Sequence, residues 1–256
     1  MRPWELASAA YFGYTAAVAL LPRGLAPRRR GVAVAASAAG FAAAVLSHRA
    51  PPSVAVHVWI LPPLLLLGAY WTTGLLFVAP MPRAEARLRR LDAALRIDRV
   101  AAHTPRPLAE FLEFAYSGVY PLVPLALYLA LMTGVPADRF WTVVLVTDFV
   151  CFGCLPWIQT RPPRAFITAP PWRSSWRRVN AGLLNASVQV NTFPSGHAAE
   201  ALLAALLVSN TSPTVAAWMF FNAAAISAGA VYGRYHYAAD AFAGWIVAVV
   251  VWWWCA

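Results

Sequence analysis

The sequence predicts an all-α fold, a polytopic bundle of transmembrane helices, on three observations. Hydrophobic residues make up 61% of the 256-residue chain and charged residues only 12%, about half the charged share usual in a soluble domain. The apolar residues come in long runs, most of them close to the ~20 residues needed to cross a bilayer core. The polar residues collect between those runs. A chain of this length has room for one or two soluble domains; this composition makes it one helical bundle.

Eight apolar segments carry the prediction: residues 4–21, 31–47, 58–80, 111–133, 140–158, 196–208, 213–232 and 237–254. The second and sixth are short for a span, so eight crossings are expected, with seven and six as alternatives. The first follows Arg2 directly and reads as a retained span rather than a cleaved signal. The second is built from Ala, Val and Gly, small residues that let helices approach closely. The third starts near Pro62-Pro63, a kink. The fourth has Glu110 and Glu113 at its entry, with Pro121 and Pro124 inside. The fifth carries Asp148 in mid-span, where an acid is costly and needs a partner, either a site arginine or a hydroxyl on another helix. Glu200, one turn past His197, invites the same two readings.

The connections are where the charge lies. The net charge is +10 and every basic residue other than histidine is arginine. In a chain this apolar, that charge points to cytoplasmic loops, anionic lipid headgroups or phosphate rather than to nucleic acid. Loop 81–108 contains seven arginines and three acids. Within it, residues 84–100 place Leu88, Leu91 and Leu95 at helical spacing against Arg87, Arg90 and Asp98. That pattern suits an amphipathic helix at the membrane interface, or a solvated helix packed on the bundle. Loop 159–193 is rich in proline, stiff and non-helical, and presents Arg161, Arg164, Arg173, Arg177 and Arg178. With eight spans and the amino terminus outside, 17 arginines fall on one side and three on the other. The positive-inside rule then puts the basic loops in the cytoplasm. Cys151, Cys154 and Cys255 make no usable metal-ligand set and read as packing residues.

Three clusters fall at the same end of neighbouring spans: Arg161 and Arg164; Ser195-Gly196-His197; and Arg234, His236 and Asp240. Pro194 suits a first helical turn, and the Ser195 and Gly196 amides at a helix amino terminus make an anion cradle. Arginine forks bind phosphate bidentately, which gives Arg161, Arg164 and Arg234 a role. His236 and Asp240 are four apart and share a helix face. The carboxylate can therefore accept from one ring nitrogen and leave the other free to attack. His197 is then placed to protonate a leaving oxygen, and no metal or cofactor is needed. Singly, each piece is weak; the ordered combination is specific.

Pro194-Ser195-Gly196-His197, preceded by Arg161-Pro162 and followed by His236 and Asp240, resembles the motif set of the type 2 phosphatidic acid phosphatase superfamily, which includes the vanadium haloperoxidases. The resemblance covers the carboxyl-terminal hundred residues. It implies a six-span phosphatase core, assigned to residues 57–256, with residues 1–56 as a two-span amino-terminal extension. It also implies a phosphohistidine mechanism: His236 as nucleophile, Asp240 as its partner, His197 as general acid, and Arg161 with the Ser195 and Gly196 amides on the phosphoryl oxygens. Two positions depart from the pattern. Cys154 stands where the first motif has lysine and Ala230 where the third has arginine, which makes Arg164 and Arg234 the expected substitutes. The Tyr-Gly-Arg-Tyr-His-Tyr run at 232–237 and the Thr-Ala-Pro-Pro-Trp run at 168–172 are similar to the inositol phosphorylceramide synthase-like branch.

The expected function is an integral-membrane lipid phosphatase of the cell membrane, acting on a lipid phosphate or prenyl diphosphate drawn from the surrounding lipid. A phosphotransferase delivering the headgroup phosphate to inositol or a sugar is the alternative. A non-catalytic transporter or scaffold is the alternative of another class, against which the presence of His197, His236 and Asp240 together speaks. A soluble haloperoxidase is excluded by the hydrophobicity.

Overall fold

The computed structural model describes residues 1–22, 24–51, 53–191 and 193–255; Arg23 of the first basic loop and Thr192 of the turn lie outside them. Among the described residues twelve α-helices follow one another: α1 Pro3–Leu20, α2 Pro27–Ser47, α3 Leu61–Leu75, α4 Pro82–Ala94, α5 Ile97–Ala102, α6 Arg106–Ser117, α7 Val119–Met132, α8 Ala137–Gly153, α9 Trp176–Asn185, α10 Gly196–Leu207, α11 Pro213–Tyr232 and α12 Ala238–Trp254. A π-helical turn, Ala55–Ile60, runs straight into α3. Among the described residues the one extended pairing is a single antiparallel bridge between Thr160 and Asn191.

Each of the eight apolar segments is largely helical, and the chain is a membrane-type all-α bundle. Among the described residues, three helical stretches are long and apolar enough to cross a bilayer: Pro27–Ser47, Ala55–Leu75 and Pro213–Tyr232. A fourth is added if α6 and α7, which meet at 58°, are one broken span. The break has a local cause: the ring of Pro121 excludes the carbonyl of Ser117 from helical bonding, so α6 stops there. Proline acts similarly at α3. Pro62 has no N–H to offer the carbonyl of Val58, and the Trp141 indole N–H donates to that carbonyl at 2.8 Å instead.

Helix α10, with 12 residues, is about 18 Å long against a bilayer core of ~30 Å. It is apolar on nearly every face and packs against α7, α8, α11 and α12, the position expected of a helix with no polar side. The main core around it contains Trp4, Phe12, Phe140, Trp141, Leu145, Leu203, Met219 and Ile226. Outward, Leu64, Phe221, Phe242, Ile246 and Val250 are exposed, an apolar perimeter suited to a hydrocarbon solvent. Helix α1 joins the same core: Tyr11 stacks on Phe149 of α8 at 4.3 Å, and Tyr14 donates to the Gly153 carbonyl at 2.6 Å.

The amphipathic segment differs from expectation. Residues 84–100 form two helices, α4 and α5, separated at Arg96, whose backbone is left-handed at φ 54°. Leu91, Leu95 and Val100 are exposed, whereas Glu85 and Asp92 are buried. These two acids are seven residues apart, two turns along one face, and that face meets arginines of the loops.

Candidate active site

The three sequence clusters converge, tied by backbone hydrogen bonds. Asn191 N–H donates to the Thr160 carbonyl at 2.9 Å, and its side-chain amide to the Thr160 hydroxyl at 3.0 Å. Arg164 N–H donates to the Arg234 carbonyl at 3.0 Å, Ser195 N–H to the Asp240 carbonyl at 2.9 Å, and the Tyr237 hydroxyl to the Arg161 carbonyl at 3.1 Å. Gly244 permits this closure, because a Cβ there would overlap the Ser195 carbonyl oxygen.

His236 Nδ1 lies 3.4 Å from Asp240 Oδ2, and Asp240 is fully buried. The same carboxylate oxygen accepts the Tyr237 N–H at 2.9 Å, which holds the carboxylate in the first turn of α12. The rings of His236 and His197 are 5.9 Å apart between centroids. His197 stacks on Tyr116 at 5.5 Å, Tyr116 stacks on Tyr235 at 4.2 Å, and Tyr120 meets His197 edge-on at 5.9 Å. No local pattern in the chain announces this tyrosine wall. It also accounts for Ala230 at the departed position: that residue is fully buried against Tyr116 and Tyr235, and its carbonyl accepts the amides of Tyr235 and His236, both at 2.9 Å.

The turn before α10 needs correcting in two details. Pro194 precedes the cap instead of occupying the first turn, since Ser195 is the N-cap and its hydroxyl accepts from Ala198 N–H. The Ser195 amide is engaged by Asp240, so the amides that α10 leaves without intrahelical acceptors at its start are those of Gly196 and His197. Gly196, His197 and His236 all line the cavity described below.

The cations separate into matched and unmatched. Arg161 is clamped by Glu85, donating from its backbone N–H at 2.8 Å, Nε at 3.0 Å and a terminal nitrogen at 2.9 Å. Those hydrogen bonds hold the Glu85 carboxyl below the usual carboxylate range. Arg234, at a left-handed φ of 64°, donates to Asp92 at 2.6 Å and lies 3.0 Å from Asp98. Burial pushes the Asp92 carboxyl up, an effect that the Ala238 amide and the Arg234 guanidinium offset in part. Neither Arg161 nor Arg234 lines the cavity; Arg164 does. No acid among the described residues lies within ion-pair distance of Arg164, and burial lowers the pKa of its guanidinium. Arg164 is therefore the cation facing the histidines, whereas Arg234, expected to take the place of the absent arginine, is turned onto α4 and α5.

Two acids order the loop that carries Arg164. Glu113, fully buried, accepts from the Trp172 indole at 2.7 Å, Arg177 at 2.8 Å, Asn180 at 2.7 Å and the Tyr235 hydroxyl at 2.6 Å. Glu110 accepts from the Ser174 hydroxyl at 2.7 Å and the Ser175 amide at 2.8 Å, just before α9. In mid-bundle, no arginine or hydroxyl among the described residues hydrogen-bonds Asp148; it faces Glu200.

A cavity of about 350 Å³ opens beside the histidines. Its polar end has Arg164, Gly196, His197 and His236, and its walls run through Tyr120, Val123, Leu66, Leu67 and Trp71. An apolar slot ending on a cation, two imidazoles and a helix amino terminus can hold an amphiphile by an anionic head.

The family model described as the PAP2 superfamily matches residues 83–254. The chain belongs to this superfamily, the type 2 phosphatidic acid phosphatases. No curated protein and no solved structure matches it. The PAP2 match begins in α4 and includes all three clusters, with α1 to α3 ahead of it. Membership supports phosphatase or phosphotransferase-type activity, and the apolar helices support a membrane location.

Proposed function

We propose that this PAP2 protein is a lipid phosphatase that works through a phosphohistidine on His236. The observation that carries the reading is the meeting of His236, His197 and Arg164, which has no acid partner among the described residues, at the polar end of a largely apolar cavity.

The phosphate of the lipid sits on Arg164 and on the amides of Gly196 and His197, with its chain along the slot. Asp240 accepts from Nδ1–H of His236, which leaves the Nε2 lone pair to attack phosphorus. As the N–P bond forms, the bond from phosphorus to the lipid oxygen breaks, and His197, protonated alongside the bound phosphate anion, gives its proton to that oxygen. Water then attacks the phosphohistidine, loses a proton to His197 and releases phosphate from His236. Arg161, held by Glu85 outside the cavity, orders the loop. The distribution of arginines favours the cytoplasmic face for this site.

If an alcohol replaces water in the second step, the same site transfers phosphate to a hydroxyl of inositol or a sugar. The runs at 168–172 and 232–237, similar to the inositol phosphorylceramide synthase-like branch, favour keeping that reaction in view.

The test is phosphate release by the purified chain in detergent from phosphatidic acid, a prenyl diphosphate and a lysophospholipid, with and without added inositol. Release that His236→Ala abolishes supports the reading. Neither release nor transfer from any of these lipids contradicts it and favours a non-catalytic role.

A further inference from the structure

One buried polar group in the bundle has no part in the mechanism above. Asp148 of α8 and Glu200 of α10 face each other across the two helices, and Asp148 is fully buried. Neither carboxylate oxygen of Asp148 has a donor among the described residues. Two carboxyl groups in contact in an apolar interior do not both stand as bare charges; a proton between them ties them together and leaves acceptor lone pairs over. An intramembrane acid pair is costly and is retained for a purpose.

Its position indicates the purpose. Glu200 lines the same cavity as His197, His236 and Arg164, and a Cβ on Gly196 would lie 3.2 Å from Asp148 Oδ1. Glu200 is three residues beyond His197 on α10, about 5 Å further along the helix axis. A lipid whose leaving oxygen is beside His197 therefore passes Glu200 with its first few atoms. The cavity lining includes Tyr70, Tyr120, Val123 and Phe152 beside Glu200, so Glu200 is a carboxyl acceptor in a wall otherwise of apolar and tyrosine side chains.

We infer that Glu200, backed by the buried Asp148, is a subsite for a hydrogen-bond donor, hydroxyl or amine, carried by the lipid within a few atoms of its phosphoester, and that Glu200 determines specificity for such lipids. The inference rests on the lipid phosphatase reading. Under it the preferred substrate has a polar backbone, glycerol-like or sphingoid, and a plain prenyl chain leaves the pair unsatisfied.

The experiment compares three lipids of identical chain: a 1-acylglycerol 3-phosphate, its 2-deoxy analogue and its 2-amino-2-deoxy analogue. The wild type is expected to favour a donor-bearing lipid over the deoxy compound by roughly 10- to 100-fold in kcat/KM; which of the two leads names hydroxyl or amine as the donor. Glu200→Gln, still able to accept, keeps a preference. Glu200→Leu alone strands Asp148 and risks misfolding, so the decisive variant is Asp148→Leu with Glu200→Leu, in which the ratio falls to about one. Equal handling of the three lipids by the wild type, or a ratio unchanged in the double variant, overturns the inference and leaves the pair a clamp between helices. Failure of the wild type to hydrolyse any lipid sinks the phosphatase reading instead. In that event, thermal shifts with the matching phosphonates still report whether the double variant loses a preference for the donor.

Discussion

Arg234 donates to Asp92 at 2.6 Å across 142 residues of sequence, and the two side chains are 5% and 1% exposed. The pair fastens the turn that carries His236 to helix α4, so the arginine that sequence order offers to phosphate is bound to a carboxylate instead. Asp92→Leu leaves that guanidinium buried with the more exposed Asp98 as its remaining acid partner among the described residues and is expected to cost about 3–5 kcal/mol. The double change Asp92→Leu with Arg234→Met is expected to be milder than either single change. Thermal unfolding of the four proteins in one detergent checks this, and a double variant as unstable as the sum of the singles contradicts it.

Arg164 and Arg161 are expected to behave oppositely to their order of prominence in the motifs. Arg164→Ala removes the cation that faces the histidines and is expected to lower kcat/KM for phosphate release by roughly 10²- to 10³-fold, with Arg164→Lys recovering part of it. Arg161→Ala is expected to cost less than about tenfold, because its fork is already committed to Glu85. A steady-state comparison of the three variants decides, and equal losses at both positions contradict the assignment.

The Glu85–Arg161 clamp has a pH signature. Hydrogen bonds from Arg161 lower the Glu85 pKa below its ordinary 4.5 in the folded protein. A lowered carboxylate pKa stabilises the fold above the unfolded value, and the contribution is lost as pH falls through the folded value. Wild type is therefore expected to exceed Glu85→Gln in stability at neutral pH, with the gap closing as the pH drops below about 4.5. Melting temperatures across a pH series measure the gap; a gap that widens on acidification contradicts the clamp.

Gly244→Ala places a methyl group on the Ser195 carbonyl. It is expected to destabilise by about 1–3 kcal/mol, as overpacking does, and to lower activity more than other alanine substitutions on α12, because it moves the cap of α10 away from Asp240. Activity and unfolding measured together check both effects.

The sequence disclosed much of this architecture. The eight apolar runs are largely helical, and Ser195, His197, His236 and Asp240 meet where their span ends placed them. What it concealed followed from face and direction. The leucines of 84–100 drew attention to an apolar stripe, yet the informative spacing was Glu85 to Asp92, two turns apart and aimed at the basic loops. Arg234 sits two residues before His236, close enough to suggest a shared ligand, but its left-handed backbone turns it away. Tyr116 and Tyr235 are 119 positions apart, and nothing in either local pattern announces that they stack beside His197. Asp148 and Glu200 each read as an acid in search of a cation or hydroxyl, and only the packing of α8 on α10 pairs them with each other.

In the proposed reaction His236 takes the phosphoryl group, and that step can be trapped directly. Purified protein given a lipid labelled with radioactive phosphate, quenched in base within the first turnover and digested, is expected to yield an acid-labile, base-stable label on the peptide containing His236. The label is expected to be absent from His236→Ala. In His197→Ala, which lacks the acid for the leaving oxygen, it is expected to form more slowly. Turnover retained by His236→Ala, or label recovered on His197, would contradict the account.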